Sequence, residues 1–395
     1  MATIEPVHRC LVLLLACLPV LAAAEPYVPT SDAQVLATVP ARAFDPRARE
    51  MVALRDTWRR NPQDVQAAVR LARRYFEQVA AEGDPRWIGY AQAALEPWWD
   101  LPDPPVPVRV LRALLLQFNH RFEAALADLD AAIAADPGNG EAWSWRTAIL
   151  MVRADYAGAR LGCEHMAPLA TPLIAVACTA QVDAASGHAA AAAAALRSAL
   201  QEHPEAAPDE RLWALTRLAE TEERLGRFAE ADAAFREAVS QHLPDVYLLA
   251  AYADFLLDRG RPADVLTLLK DSERADVLLL RMAEAAQAAG DPRAARFKEE
   301  LAARFDAARR RGDSTHRKEE SRFVLGLQHD AARALALAQE NYALQREPAD
   351  ARILLEAALA AKQPPAAQPV LDWMAASHIE SVALQGLAER LRGLR

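Results

Sequence analysis

One spacing constrains this chain more than any other feature. A small or polar turn residue, followed by an alanine-rich helical phrase, returns about every 34 residues. It reads as His120–Leu126, Ala154–Ala159, Gly187–Ala190, Gly226–Ala231, Gly260–Asp264 and Gly290–Ala295. The turn positions 120, 154, 187, 226, 260 and 290 are separated by 34, 33, 39, 34 and 30 residues. A period of this length is the mark of stacked supersecondary units, each burying its apolar face against the next. Alanine, leucine, arginine and glutamate dominate, and only 14 glycines occur in 395 residues. Those four residue types are good helix formers, so each unit is expected to be a pair of helices.

The interior of each copy follows one pattern. Before Gly226 stands Leu218-Ala219, and after it come Ala231, Phe235 and Ala238. Earlier copies carry Ala125, Leu129, Ala132 and Pro137, then Ala192, Leu196, Ala199 and Pro204. Small residues let two antiparallel helices approach closely, and a large residue one turn away fills the gap between hairpins. Proline closes the second helix before the next hairpin begins. The spacing and the large–small–aromatic–small order resemble the tetratricopeptide repeat (TPR), over most of residues 50–395. The segment Ala334–Tyr342, continuing through Gln345–Arg352, is similar to one found in exported bacterial TPR proteins of unassigned role. The resemblance implies an all-α, right-handed solenoid of antiparallel helical hairpins.

The ends are less regular. Residues 25–49 read as an extended N-terminal segment and 50–100 as an irregular hairpin. In the latter, Asn61–Phe76 forms the first helix, Ala80–Gly83 the turn and Ile88–Leu95 the second helix, closed by Trp98-Trp99. A proline-rich linker, 101–107, cannot be helical throughout. The regular array spans 108–311. Residues 312–395 supply further hairpins, Glu319–Gln328 with Asp330–Glu347 and Ala349–Ala361 with Gln368–Ser377, and a capping helix at Leu384–Leu391.

The N-terminus reads as an address. His8 and Arg9 precede the apolar run Leu11–Leu21, and Ala22-Ala23-Ala24 supplies small residues for cleavage after Ala24. The run is too short to span a bilayer, which needs ~20 residues, and no later stretch without charges reaches that length. A rival reading uses Leu14–Cys17 as a lipobox with a lipid anchor at Cys17, but Leu18–Leu21 stand where polar residues usually follow such an anchor. The expected localisation is periplasmic or secreted.

Removal of that segment leaves two cysteines, Cys163 and Cys178. Antiparallel geometry, with a turn near Pro168–Thr171, puts them at about the same height on neighbouring helices. They read either as a stapling disulfide or as two separate buried hydrophobes. A metal shared by Cys163, His165 and Cys178 has no fourth ligand at a familiar spacing. No phosphate-cradling glycine loop, zinc-protease helix motif or nucleophile elbow is present, so neither an enzyme nor a cofactor is expected. The net charge of −9 argues against nucleic acid as the ligand. The basic run Arg309–Arg311 with Arg317-Lys318 is flanked by Glu299, Glu300, Glu319 and Glu320, which reads as a salt-bridged helix face.

In TPR proteins the first helices of successive hairpins line the concave face, where peptides and partner helices commonly bind. By repeat position the resemblance nominates Trp145, Met151, Trp213, Arg217, Glu220, Arg224, Tyr247 and Asp254. Trp145, Trp213 and Tyr247 suit anchoring, though each also suits packing between hairpins. The lysine and asparagine residues with which some TPRs clamp a C-terminal carboxylate are missing from these positions. The expected function is a non-enzymatic interaction scaffold or adaptor that holds a protein or peptide. The alternatives are a part of an envelope export or assembly machine and a small-molecule or glycan binder using Trp98 and Trp99.

Overall fold

Left-handed backbone punctuates the chain at the spacing read from its sequence. A computed structural model describes Ser31 and residues 46–394 apart from Ser314. The leader at 1–24 and the alternative anchor at Cys17 lie outside the described residues. Two compact units divide the chain, Met1–Glu50 and Met51–Arg395, and the hairpins belong to the second.

Helix α1 spans Pro46–Arg60, α2 Val65–Glu82, α3 Arg86–Ala94, α4 Glu96–Trp99, α5 Val106–Phe118 and α6 Phe122–Ala135. Next come α7 Gly140–Val152, α8 Tyr156–Met166, α9 Pro172–Ala185, α10 Ala189–Glu202, α11 Pro208–Arg224 and α12 Phe228–Val239. Then α13 spans Val246–Asp258, α14 Pro262–Leu268, α15 Asp276–Ala289, α16 Ala294–Arg310 and α17 Arg317–Phe323, which runs into a π turn at Val324–Gln328. The chain closes with α18 Ala331–Leu344, α19 Pro348–Ala360, α20 Gln368–Ser377 and α21 Val382–Arg392. No strand occurs among the described residues.

Each hairpin turn contains one residue at positive φ: Gly83, His120, Ala154, Gly187, Gly226, Gly260, Gly290, His329 and Lys362. Six of these are the turn positions named from the sequence. A helix that stops on a left-handed residue satisfies its last carbonyls and reverses direction within two or three residues. The alanines that let helices approach are closed from water: Ala125, Ala132, Ala231 and Ala238 are all fully buried. The large residues between them, Leu129, Leu196 and Phe235, are fully buried as well. The structure is a solenoid of antiparallel helical hairpins.

Local chemistry sets the remaining element ends. The first hairpin is longer than the sequence reading, because α2 continues to Glu82 and ends on left-handed Gly83. Its start is fixed by Asp64, whose carboxylate accepts from the backbone N–H groups of Gln66 and Ala67. Leu95 interrupts the second helix, so Glu96–Trp99 forms a separate turn and Trp98 is buried. The segment read as one helix over Glu319–Gln328 changes to a π turn after Phe323 and ends at left-handed His329.

Contacts distant in sequence fold the C-terminal helices back over earlier turns. Arg346 N–H donates to the Val152 carbonyl at 2.8 Å, and the Trp373 indole donates to the Tyr156 hydroxyl at 3.1 Å. Glu380 accepts from the Ala189 backbone N–H at 2.6 Å, capping a helix whose own N-cap, His188, makes no side-chain bond. His378 lies against the Gly187 turn and Val382 against the Gly226 turn. The segment from Arg346 to Val382 therefore crosses three successive hairpin turns. Gly83 at the other end meets Ala275, where a Cβ at position 83 would sit 2.6 Å from the alanine methyl.

Cys163 and Cys178 are joined by a disulfide with their Cα atoms 5.6 Å apart, bonding α8 to α9. The bond removes both sulfurs from the metal set weighed with His165. The basic run finds acidic partners. Arg309 pairs with Glu320 at 2.5 Å and Asp306 at 3.2 Å, Arg310 with Asp306, and Arg317 with Glu340 at 3.0 Å.

Candidate functional site: a charged face built by the first helices

First helices of successive hairpins contribute polar side chains at fixed distances from their turns. Six residues before a turn stand Glu220, Asp254, Glu284 and Glu356, and nine before stand Arg217 and Arg281. Because the turns align in the stack, residues at one register form a continuous row along the solenoid.

Five of the eight residues nominated from the sequence belong to this face. The Arg217 guanidinium lies 4.7 Å from the Tyr247 ring centroid and 3.1 Å from the Glu220 carboxylate. The Tyr247 hydroxyl donates to Glu220 at 2.6 Å, closing a triangle between α11 and α13. Burial pushes the Tyr247 hydroxyl pKa well up, with Arg217 opposing and Glu220 reinforcing the shift. The residue nonetheless remains 51% exposed, as expected of a side chain set in a recess and open along one face. Arg217 Nε is buried without a hydrogen-bond partner.

Arg224 donates to the Ala184 carbonyl at 3.2 Å and to Thr221 Oγ1 at 3.4 Å. It pairs with no carboxylate among the described residues, and burial, assisted by Arg217, lowers its pKa against the pull of Glu220. Beside it, burial together with Asp258 and Glu220 pushes the Glu223 carboxyl up to about 8. Glu223 is therefore mainly protonated at neutral pH. Asp254 shows the opposite outcome. Burial works against its charge, but Arg281 at 2.7 Å and Arg322 at 2.6 Å hold it far below the usual carboxylate range.

The C-terminal helices supply the rest. Arg322 of α17 also grips Glu284 through two hydrogen bonds of 2.7 Å. Arg352 of α19 holds Asp258 at 2.5 and 2.8 Å and Glu356 at 2.7 Å. Lys318 stands 3.8 Å from Glu319 and from fully buried Asp350. The sequence reading missed these partners. Arg281 and Glu284 were accessible to it, because they repeat the registers of Arg217 and Glu220. Arg322, Lys318 and Arg352 arrive through the returning C-terminal helices, which no periodicity announces.

The other three nominated residues are used in packing. Trp145 meets Phe76 edge-on with centroids 5.5 Å apart. Met151 is buried beside the disulfide, with Leu150 and Val182. Trp213 packs against both the main core and the disulfide cluster. Among the described residues no group of His, Cys, Asp and Glu is arranged to hold a metal ion, and no helix is long and apolar enough to cross a membrane. The face offers charge, a recessed aromatic ring and unmet hydrogen-bonding capacity.

No protein-family model and no curated protein matches the sequence. Among solved structures, the chain is similar to a tetratricopeptide repeat protein from Parabacteroides merdae, at 13% identity over 72% of this chain and 98% of that one, with a TM-score of 0.39. The human IFIT1 dimer with m7Gppp-AAAA matches at 13% identity over 88% and 86%, with a TM-score of 0.45. Yeast Tom70 matches at 15% identity over 88% and 62%, with a TM-score of 0.40. Turn spacing, left-handed turn residues and the buried small–large–small order are properties of the chain itself, and by them it is a solenoid of TPR-like hairpins.

Proposed function

We propose that this protein is a non-enzymatic binding scaffold that holds a segment of another protein or a peptide along the first-helix face, gripped around Tyr247, Arg217 and Arg224. One observation carries the reading. Tyr247 is half exposed in a setting where its polar neighbours are largely withdrawn from water, and two arginines beside it keep donors free of carboxylates. Aromatic and arginine side chains in recessed settings are where binding energy concentrates. An acidic or carbonyl-rich segment fits the donors, and protonated Glu223 adds a hydrogen-bond donor where an ionised carboxylate would repel an acid. The apolar run and small residues of the N-terminal segment support a periplasmic or secreted location, where the disulfide would persist.

The test is affinity purification of the full chain after mild in-cell crosslinking, in wild type and in a Tyr247→Ala, Arg217→Gln double variant. A recurrent partner that is lost from the variant while helicity is unchanged supports the reading. A partner set identical in both forms removes the first-helix face as the binding surface.

A further inference from the structure

A second site stands at the N-terminal hairpin, lined by none of the residues of the first-helix face. A cleft of about 420 Å³ opens between α1, α2 and the start of α3. Trp58, Tyr75, Trp87 and Tyr90 form its aromatic part. Tyr75 and Trp87 stack with centroids 5.6 Å apart, and Tyr90 stands 5.6 Å from Trp87, edge-on. Helical spacing builds the walls, since Arg55, Trp58 and Arg59 share one face of α1, and Arg86 and Tyr90 are one turn apart on α3.

Charge in the cleft runs against that of the chain. Three arginines and one aspartate line it, in a protein with a net charge of −9. Asp84 is committed to Arg86, which it holds through contacts of 2.5 to 3.0 Å. Arg55 donates through Nε to the Tyr75 hydroxyl at 2.7 Å and faces no carboxylate among the described residues, so its terminal nitrogens are unspent. Among the described residues Arg59 has only Asp56, 3.5 Å away, with both side chains well exposed. Trp58 adds a second unmet donor, because its indole N–H is shut off from water and has no partner. A buried donor in that condition is costly.

We infer that this cleft binds a small anion carried on a planar aromatic ring, the ring stacking on the tryptophan and tyrosine faces and the anionic group pairing with Arg55 and Arg59. A bare inorganic anion would use the arginines and leave the rings uncovered, and a neutral ring would leave the arginines unpaired. Planar rings stack on Trp and Tyr faces, and guanidinium pairs with carboxylate or phosphate through parallel hydrogen bonds. The cleft volume falls within the range of small-molecule sites, roughly 300–1,000 Å³. Two sources offer this chemistry, a nucleoside monophosphate and an aryl carboxylate.

Calorimetric titration of the full chain with AMP and with N-acetyl-L-tryptophan tests the inference, with adenosine and N-acetyl-L-tryptophan amide as neutral counterparts. At least one anion should bind below roughly 1 mM and its neutral counterpart about tenfold more weakly. The anion that binds identifies the source. Tyr90→Ala and Arg59→Gln alter exposed side chains and should each weaken binding about tenfold with the helical content intact. The inference is overturned if neither anion binds in that range, if the neutral forms bind as well, or if both variants bind like wild type.

Discussion

Four of the nine hairpin turns place a non-glycine residue in the left-handed region: His120, Ala154, His329 and Lys362. The strain at such positions is about 1–2 kcal/mol each, which the stacked hairpins on either side must hold in place. Where glycine occupies the turn, the reason extends beyond φ. At Gly187, φ is +83°, and a Cβ would come within 3.0 Å of the His378 Cβ and 3.2 Å of its carbonyl oxygen. Gly187→Ala should therefore cost about 2 kcal/mol or more in urea unfolding, the backbone strain being compounded by that clash. Gly260→Ala, with open space around it, should cost about 1 kcal/mol from strain alone. Equal losses at the two sites would contradict the C-terminal packing over the Gly187 turn. The turn positions were legible because the small or polar residue recurs there. The clash at Gly187 was not, because its partner lies almost two hundred residues away.

Protonation at Glu223 gives a second test at this scale. In the unfolded chain a glutamate ionises near the ordinary carboxylate value, whereas in the folded protein Glu223 keeps its proton to about 8. Between those values the unfolded state binds fewer protons, so this group's contribution to stability falls as pH rises and levels off above about 8. Glu223→Gln removes the ionisable group while keeping its shape. The variant should match wild type near pH 4.5 and gain on it steadily as pH rises, by up to about 4 kcal/mol at pH 8 in urea titrations. A variant advantage that shrinks as pH rises would contradict the burial of this carboxyl among Asp258 and Glu220.

Among elements, α8 and α9 are bonded through Cys163 and Cys178, which close a loop of 15 residues. The sequence left this open, since matched height on adjacent helices suits a disulfide and two packed thiols equally. A loop of that size is worth about 3 kcal/mol in the chain-entropy account. Cys163→Ala, Cys178→Ala should lower stability by that order, and a reducing agent should lower wild type alone. Equal sensitivity of the two proteins to the reductant would show that the bond does not form.

Helix α10 begins with alanines and takes its cap from Glu380 instead of a neighbour in sequence. Glu380→Ala should cost about 1 kcal/mol. By contrast, α8, α13 and α18 carry their own aspartate caps at Asp155, Asp245 and Asp330. Those helix starts were written locally, and the start of α10 was not. The irregular first hairpin shows the same division. Asp64 and Gly83 bound α2 by local rules, while the need to accommodate Ala275 against Gly83 comes from another part of the solenoid.

Across the molecule, the period specifies hairpins and their stacking, but it does not say how the C-terminal helices run. Arg346, Trp373, Glu380 and Arg352 each bond a residue about a hundred or more positions earlier, and no pairwise signal in one sequence reports such a contact. The candidate binding face inherits that division. Arg217, Glu220, Arg224, Tyr247 and Asp254 were found through repeat register. Arg322, Lys318 and Arg352 entered with the returning helices, and Trp145, Met151 and Trp213 are held in packing, against Phe76, the disulfide cluster and the main core.

The claim that this face receives a partner is tested most directly by site-specific photocrosslinking in the producing cell. Benzoylphenylalanine would replace Tyr247 in one protein and the exposed Ser198, on the second helix of an earlier hairpin, in another. A discrete adduct is expected from position 247, absent from position 198 and lost when Arg224→Gln is added. Adducts of equal yield and pattern from both positions, or an adduct from 247 indifferent to Arg224, would contradict it.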